Sequence, residues 1–171
     1  LLAHDRWRRD KWLPGSLLGP LLFALALLAA EAGIATTAYL FGHALFLDRG
    51  VWWRRLARLA PFALIVLIWR LAYNHAGFGA AGSGLYIDPV GHPLRFLVAA
   101  ATRWPLLLAG QWTSAPTMLV SFLPPVIVSV IAAACAGLVI CLGLLLRPIL
   151  RASAPARMWT TGMLLAAVPV C

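Results

Sequence analysis

Residues 17–47 form a 31-residue apolar run in which Glu31 is the only formally charged side chain at neutral pH. As one straight helix the run would be about 46 Å long at 1.5 Å per residue, half as long again as a hydrocarbon core of roughly 30 Å. Four basic residues stand on each flank: Arg6, Arg8, Arg9 and Lys11 before it, and Arg49, Arg54, Arg55 and Arg58 after it. A single crossing would put one of these clusters on the side of a membrane that basic loops avoid. Two half-helices, over 17–30 and 33–47 and each about 21 Å long, remove the conflict. The pair either enters and leaves by one face or makes two short passes. Non-helical backbone at that depth requires cover from protein or a water-filled cavity. Glu31 then falls at the break beside Gly33, where exposed amides and the dipole of the second half-helix favour negative charge.

The rest of the chain is built the same way. It is 63% hydrophobic and 11% charged, with a mean hydropathy of +0.89, against about 25% charged residues in ordinary soluble domains. The expected fold class is all-α, a polytopic transmembrane helical bundle with a broken or re-entrant helix pair and an outer interfacial helix. Further apolar segments are expected over 59–73, 117–146 and 158–171, with Arg70 snorkelling from the far end of the first. Arg95, Arg103, Trp104, Pro105 and Trp112 make 94–112 read as a helix lying along the outer interface. The Pro124-Pro125 pair separates a first turn from the helix that follows. Because the chain opens in a basic segment and ends inside an apolar one, it reads as the central part of a longer transmembrane domain.

The net charge of +9 raises the question of nucleic acid, and its distribution answers it. Eleven of the fourteen Lys and Arg residues sit in three clusters at span ends, the third being Arg147, Arg151 and Arg157. That pattern places 1–12, 48–58 and 147–157 on the cytoplasmic side of an inner membrane and 74–113 outside. No soluble segment is long enough to present a folded basic face to nucleic acid. Membrane lipids are the expected contacts.

Chemistry-bearing positions are few. The stretch 77–82, "GFGAAG", matches the spacing of a dinucleotide fingerprint but lacks the strand and helix that give it meaning, so an external loop suffices. Asp88 is the only acid of 74–113, with Tyr86 and His92 nearby. It either contacts a sugar or phosphate or opens a turn before Pro89. Two candidate ligands do not make a metal site, and no cofactor motif is evident. Tyr39 and His43 share a helix face by their spacing of four, as packing, interface anchoring or catalysis. Cys135, Cys141 and Cys171 have no disulfide or metal spacing. An ionisable group within a membrane segment is a functional-site hypothesis by default, which puts Glu31 first; its structural alternative is to cap the second half-helix and pin the break.

The segment "LLFALALLAAEAGIATTAYL", followed by "LFLDRG" and a basic loop, resembles the multispanning GT-C glycosyltransferases, in particular the relatives of protein O-mannosyltransferases that carry tetratricopeptide repeats. Glu31, Gly33 and Ile34 match the Glu, Gly and Ile of that group's Lys-Glu-x-Gly-Ile-type motif, and Ala30 stands where the Lys usually is. The resemblance covers residues 10–75 and extends more loosely to "YIDPVGHPLRF". It implies transfer of a sugar from a polyprenyl-phosphate donor at the outer face. The family's catalytic acid lies in a first external loop that precedes this stretch, so the resemblance assigns no catalytic base here. A lipid-linked donor needs cations for its phosphate; Arg95 and Arg103 are the candidates, with lipid headgroups as the alternative partner of both. A non-catalytic scaffold or a transporter component is the competing reading of the whole chain.

Overall fold

In a computed structural model, described here for residues 1–78, 87, 91–113 and 122–168, all regular structure is helical and no strand occurs among the described residues. The helices are α1 (Leu2–Asp10), α2 (Gly15–Ala29), a 3-10 turn (Glu31–Ala35), α3 (Thr36–Phe46), α4 (Trp52–Ala57), α5 (Ala60–His75), α6 (Pro93–Thr113), α7 (Pro125–Ala152) and α8 (Ala154–Ala166). They divide into two units: Leu1–Gly79 with Ser153–Pro169, and Ala80–Ala152 with the last two residues.

The long apolar run is interrupted at Ala30, whose backbone is extended (φ −159°, ψ 138°) between the end of α2 and the 3-10 turn. The amide of Gly33 donates to the Ala30 carbonyl at 2.9 Å, and the Thr37 hydroxyl donates to the Ile34 carbonyl at 2.6 Å. These bonds satisfy backbone groups that two helix ends in apolar surroundings would otherwise leave open. Gly33 is needed because the turn folds back against α2: a Cβ there would stand 2.8 Å from the Ala26 carbonyl oxygen. Phe23 and Leu27 of α2, Leu40 of α3 and Phe62 of α5 form the buried core of this unit, each contributing about 1.5–3 kcal/mol over the exposed side chain. On its other side α3 packs along α8, where Gly42 lies so near the Met158 backbone that a Cβ would come within 2.8 Å of its carbonyl oxygen.

Three expectations change. Residues 1–12, expected as a loop, carry α1, because Leu, Ala, Trp and Arg all sit well in a helix until Lys11 ends it and Pro14 and Gly15 follow. Within 48–58 lies the short helix α4. The basic stretch 147–157 is helical except at Ser153, whose hydroxyl accepts from the Ala156 amide as the N-cap of α8. α7 runs through Arg147 and Pro148 to Ala152, and Pro148 costs it the one ladder bond that the missing amide would donate to the Leu144 carbonyl. The first turn expected before Pro125 lies partly outside the described residues.

In the second unit α6 packs against α7. α6 continues through Pro105 rather than stopping at it, and Leu106, Leu108 and Ala109 that follow are buried. Among the described residues α7 is the one helix long and apolar enough to cross a membrane; its 28 residues expose Val126, Val130, Ile140, Leu144 and Leu145. That surface points to association with a membrane. The apolar helices α2, α3 and α5 have 15, 11 and 16 residues, each short of the 20 or so that a full crossing takes.

Candidate functional site

Two polar groupings mark opposite ends of the first unit, and both follow from the interruption at Ala30. Because the chain turns back there, the start of α2 and the end of α3 lie at one end, and α1 joins them. Gly19 of α2 lies against His4 of α1. The His4 ring meets Phe62 of α5 and His43 of α3 edge-on, both at 5.3 Å between centroids.

At this base the dominant feature is Asp48, just past α3, with a side chain only 3% exposed. Arg8 of α1 donates to its Oδ1 through Nη2 at 2.6 Å and through Nε at 3.0 Å. Arg58 donates to Oδ2 at 3.1 Å, and the Arg49 amide adds a bond to Oδ1 at 3.0 Å. Burial by itself would raise the Asp48 carboxyl; the hydrogen bonds and charges of Arg8 and Arg58 outweigh it and hold the group below the usual carboxylate range. Beside it the Asp5 carboxylate meets His43 Nε2 at 2.9 Å, and Arg9 lies 3.6 Å from the other oxygen of Asp5. Burial, then the neighbouring His43, push the His4 pKa down to about 4, so this ring is neutral at neutral pH. Arg55 donates to the carbonyls of Leu45 and Gly50 and closes the end of α3.

Glu31 stands at the other end. It is exposed and makes no cap: α3 begins at Thr36 because the 3-10 turn takes up residues 31–35. Of the two readings of Glu31, the cap of the second half-helix is therefore the one that the structure does not show. Its carboxylate accepts a hydrogen bond from the Tyr73 hydroxyl near the end of α5. Tyr73 in turn lies between Trp69, at 4.9 Å between ring centroids, and Phe78, at 5.6 Å. The grouping is one carboxylate and one phenol set among aromatic rings, able to bind hydroxyl groups and to stack on the apolar face of a ring.

Other candidates are distributed as follows. Arg95 and Arg103 are exposed on α6, eight residues and thus about 12 Å apart along the axis. Asp88 lies outside the described residues, as do Tyr86 and most of 77–82. His92 is exposed just before α6, where its carbonyl accepts from Phe96. Tyr39 and His43 do not act as a pair: Tyr39 packs on Trp159 of α8, and His43 turns to Asp5. Arg70 is exposed on α5. Cys135 and Cys141 are free thiols. Among the described residues no cluster of three or more His, Cys, Asp or Glu side chains is placed to hold a metal ion.

Sequence reasoning missed Asp48 and Tyr73. Asp48 is a lone acid at the head of a basic cluster, a signal that a cation will be drawn inward. Tyr73 lies about 13 residues from the start of α5, and Glu31 about 16 from the start of α2, which brings both to the same end of the unit. No protein-family model, no curated protein and no solved structure matches this chain.

Proposed function

We propose that this chain is the re-entrant hairpin region of a multi-pass inner-membrane glycosyltransferase, one that takes its sugar from a polyprenyl-phosphate donor and delivers it to an acceptor at the outer face. The observation that carries the reading is the exposed Glu31 carboxylate held by Tyr73 at the end of the hairpin remote from its basic base. An ionisable side chain is expensive at membrane depth and is kept where it serves a polar ligand. With the base at the cytoplasmic interface, α2 and α5 carry Glu31 and Tyr73 about 20–24 Å away, into the outer part of a core of roughly 30 Å. Tyr73 occupies one carboxylate oxygen, and the other accepts from a hydroxyl of sugar or acceptor; the neighbouring rings suit a sugar face or a prenyl chain. Arg95 and Arg103, on α6 of the second unit, are the candidate cations for a phosphate, and the reading of Glu31 and Tyr73 does not depend on them. In the reaction an acceptor hydroxyl attacks the anomeric carbon and the bond to the phosphate oxygen breaks. The polyprenyl phosphate leaves, and the hydroxyl proton passes to a base that this reading does not assign to Glu31.

The test is transfer from radiolabelled polyprenyl-phosphate hexose in membranes containing the full protein. Glu31→Gln and Tyr73→Phe should each reduce transfer tenfold or more while the thermal midpoint stays within about 2 °C. The Glu31–Tyr73 bond also favours a second reading, a non-catalytic scaffold or transporter component in which the pair pins the turn to α5. On that reading both variants lower the midpoint and no transfer is found to lose.

A further inference from the structure

The four cations of the N-terminal cluster do not share one role. Arg8 is turned inward to Asp48, and Arg9 lies beside Asp5. Arg6 and Lys11 instead line an open depression of about 590 Å³ together with Asp10, Trp12, Leu13 and Pro14. We propose that this depression binds the headgroup of an anionic phospholipid, with an acyl chain lying along α2.

Four observations converge on that occupant. The charged side chains of the depression are two cations and one carboxylate, leaving a net single positive charge, the complement of a monoanionic phosphodiester. Lys11 ends α1 in the left-handed conformation (φ 55°, ψ 28°), the place where glycine is usual. A lysine occupies that backbone only against its preference, and Lys11 lines the same depression as Arg6. Trp12 lines the depression beside them and is exposed, a residue type enriched where proteins meet headgroups. α2 begins four residues after Lys11, and its Leu17, Leu21, Leu25 and Leu28 are exposed along one stripe, at spacings of four, four and three. Headgroup charge above and an apolar stripe below are the two halves of a lipid, and a free phosphate would use only the first.

The inference rests on the membrane reading of the proposed function and not on sugar transfer. The test is native mass spectrometry of the full protein in mild detergent, offered equal amounts of dioleoyl phosphatidylglycerol and dioleoyl phosphatidylcholine. The wild type should retain phosphatidylglycerol in preference to phosphatidylcholine. Each cation near an anionic headgroup is worth about fivefold, so Arg6→Gln with Lys11→Gln should weaken retention about thirtyfold. Asp10→Asn should strengthen it, and Arg54→Ala on α4 should leave it unchanged. Arg6 and Lys11 are exposed, and the double variant is expected to keep its helical circular dichroism. Equal retention of the two lipids, or unchanged retention in the double variant, overturns the proposal, as does displacement of phosphatidylglycerol by equimolar polyprenyl phosphate. Release of the protein from cell membranes by alkaline carbonate would defeat the membrane reading and this site with it; retention in the membrane without lipid selectivity defeats the site alone.

Discussion

Replacing Asp48 by Asn keeps the shape of the side chain and removes its charge. In the native chain that carboxylate accepts from Arg8 and Arg58 at 2.6 and 3.1 Å while only 3% of it is exposed. Hydrogen bonds to charged groups contribute about 1.5–3 kcal/mol each, and leaving one member of a buried ion pair uncompensated costs about 3–5 kcal/mol. Arg8 is 16% exposed and bears most of that cost, whereas Arg58, at 32%, recovers part of its hydration. The expected loss is therefore about 3 kcal/mol, equivalent to a fall of about 6–12 °C in the unfolding midpoint of a domain this size. Thermal unfolding in detergent, followed by circular dichroism, reads it directly. A cycle with Arg8→Met sharpens the test: the double variant Asp48→Asn/Arg8→Met should cost clearly less than the sum of its parts, because the second change removes the stranded cation. A midpoint within 2 °C of wild type for Asp48→Asn, or strict additivity in the cycle, would refute the assignment of Asp48 as the tie between α1 and the end of α3.

Acid should weaken the fold in two stages. The folded-state pKa of His4 is lowered from 6.5 to about 4, so the unfolded chain binds the proton first and stability falls as pH drops from about 6.5 to about 4, by about 3 kcal/mol in all. The Asp48 carboxyl is held below its ordinary value, so its contribution is present above about 3.8 and is lost as pH falls further; midpoints between pH 7 and 3 check both stages, and His4→Phe should flatten the first. Gly42→Ala would drive a Cβ to 2.8 Å from the Met158 carbonyl oxygen and should cost about 1–3 kcal/mol by forcing α3 and α8 apart, measured in the same melt.

The interruption of the long apolar run was legible because three independent signals met in it: excess length, basic clusters on both flanks, and a Glu with a Gly two residues on. Each has a local physical cause. The partners of Glu31 and Asp48 were not legible, because Tyr73 is 42 residues from Glu31 and Arg8 is 40 residues from Asp48, and helical periodicity carries no information over such separations. The same limit explains the basic clusters. Read by composition, all their cations face headgroups; in the structure Arg8 and Arg58 turn inward to Asp48, Arg55 closes α3, and Arg54 lies over the Trp53 ring at 5.0 Å. Charge makes segments 1–12 and 147–157 read as loops, and the second also holds Pro148 and Pro155, yet their Ala, Leu and Arg residues support helices that those signals do not prevent. The sequence offers Glu31 both as a functional acid and as a cap of the second half-helix; the cap is not made, because the 3-10 turn begins at the acid itself.

The most direct measurement of the central claim, a hairpin with its base on one side of the membrane and Glu31 toward the other, is cysteine accessibility in intact cells. In a variant whose native cysteines are replaced by alanine, single cysteines are placed at Arg9 and Val51, at the base, and at Ala76, just past the end of α5. The account predicts that a membrane-impermeant thiol reagent labels position 76 and spares 9 and 51 until the cells are opened. Labelling of 9 and 51 from opposite sides would contradict it, making 17–47 a single crossing and removing the basis for Glu31 as a site at the outer face.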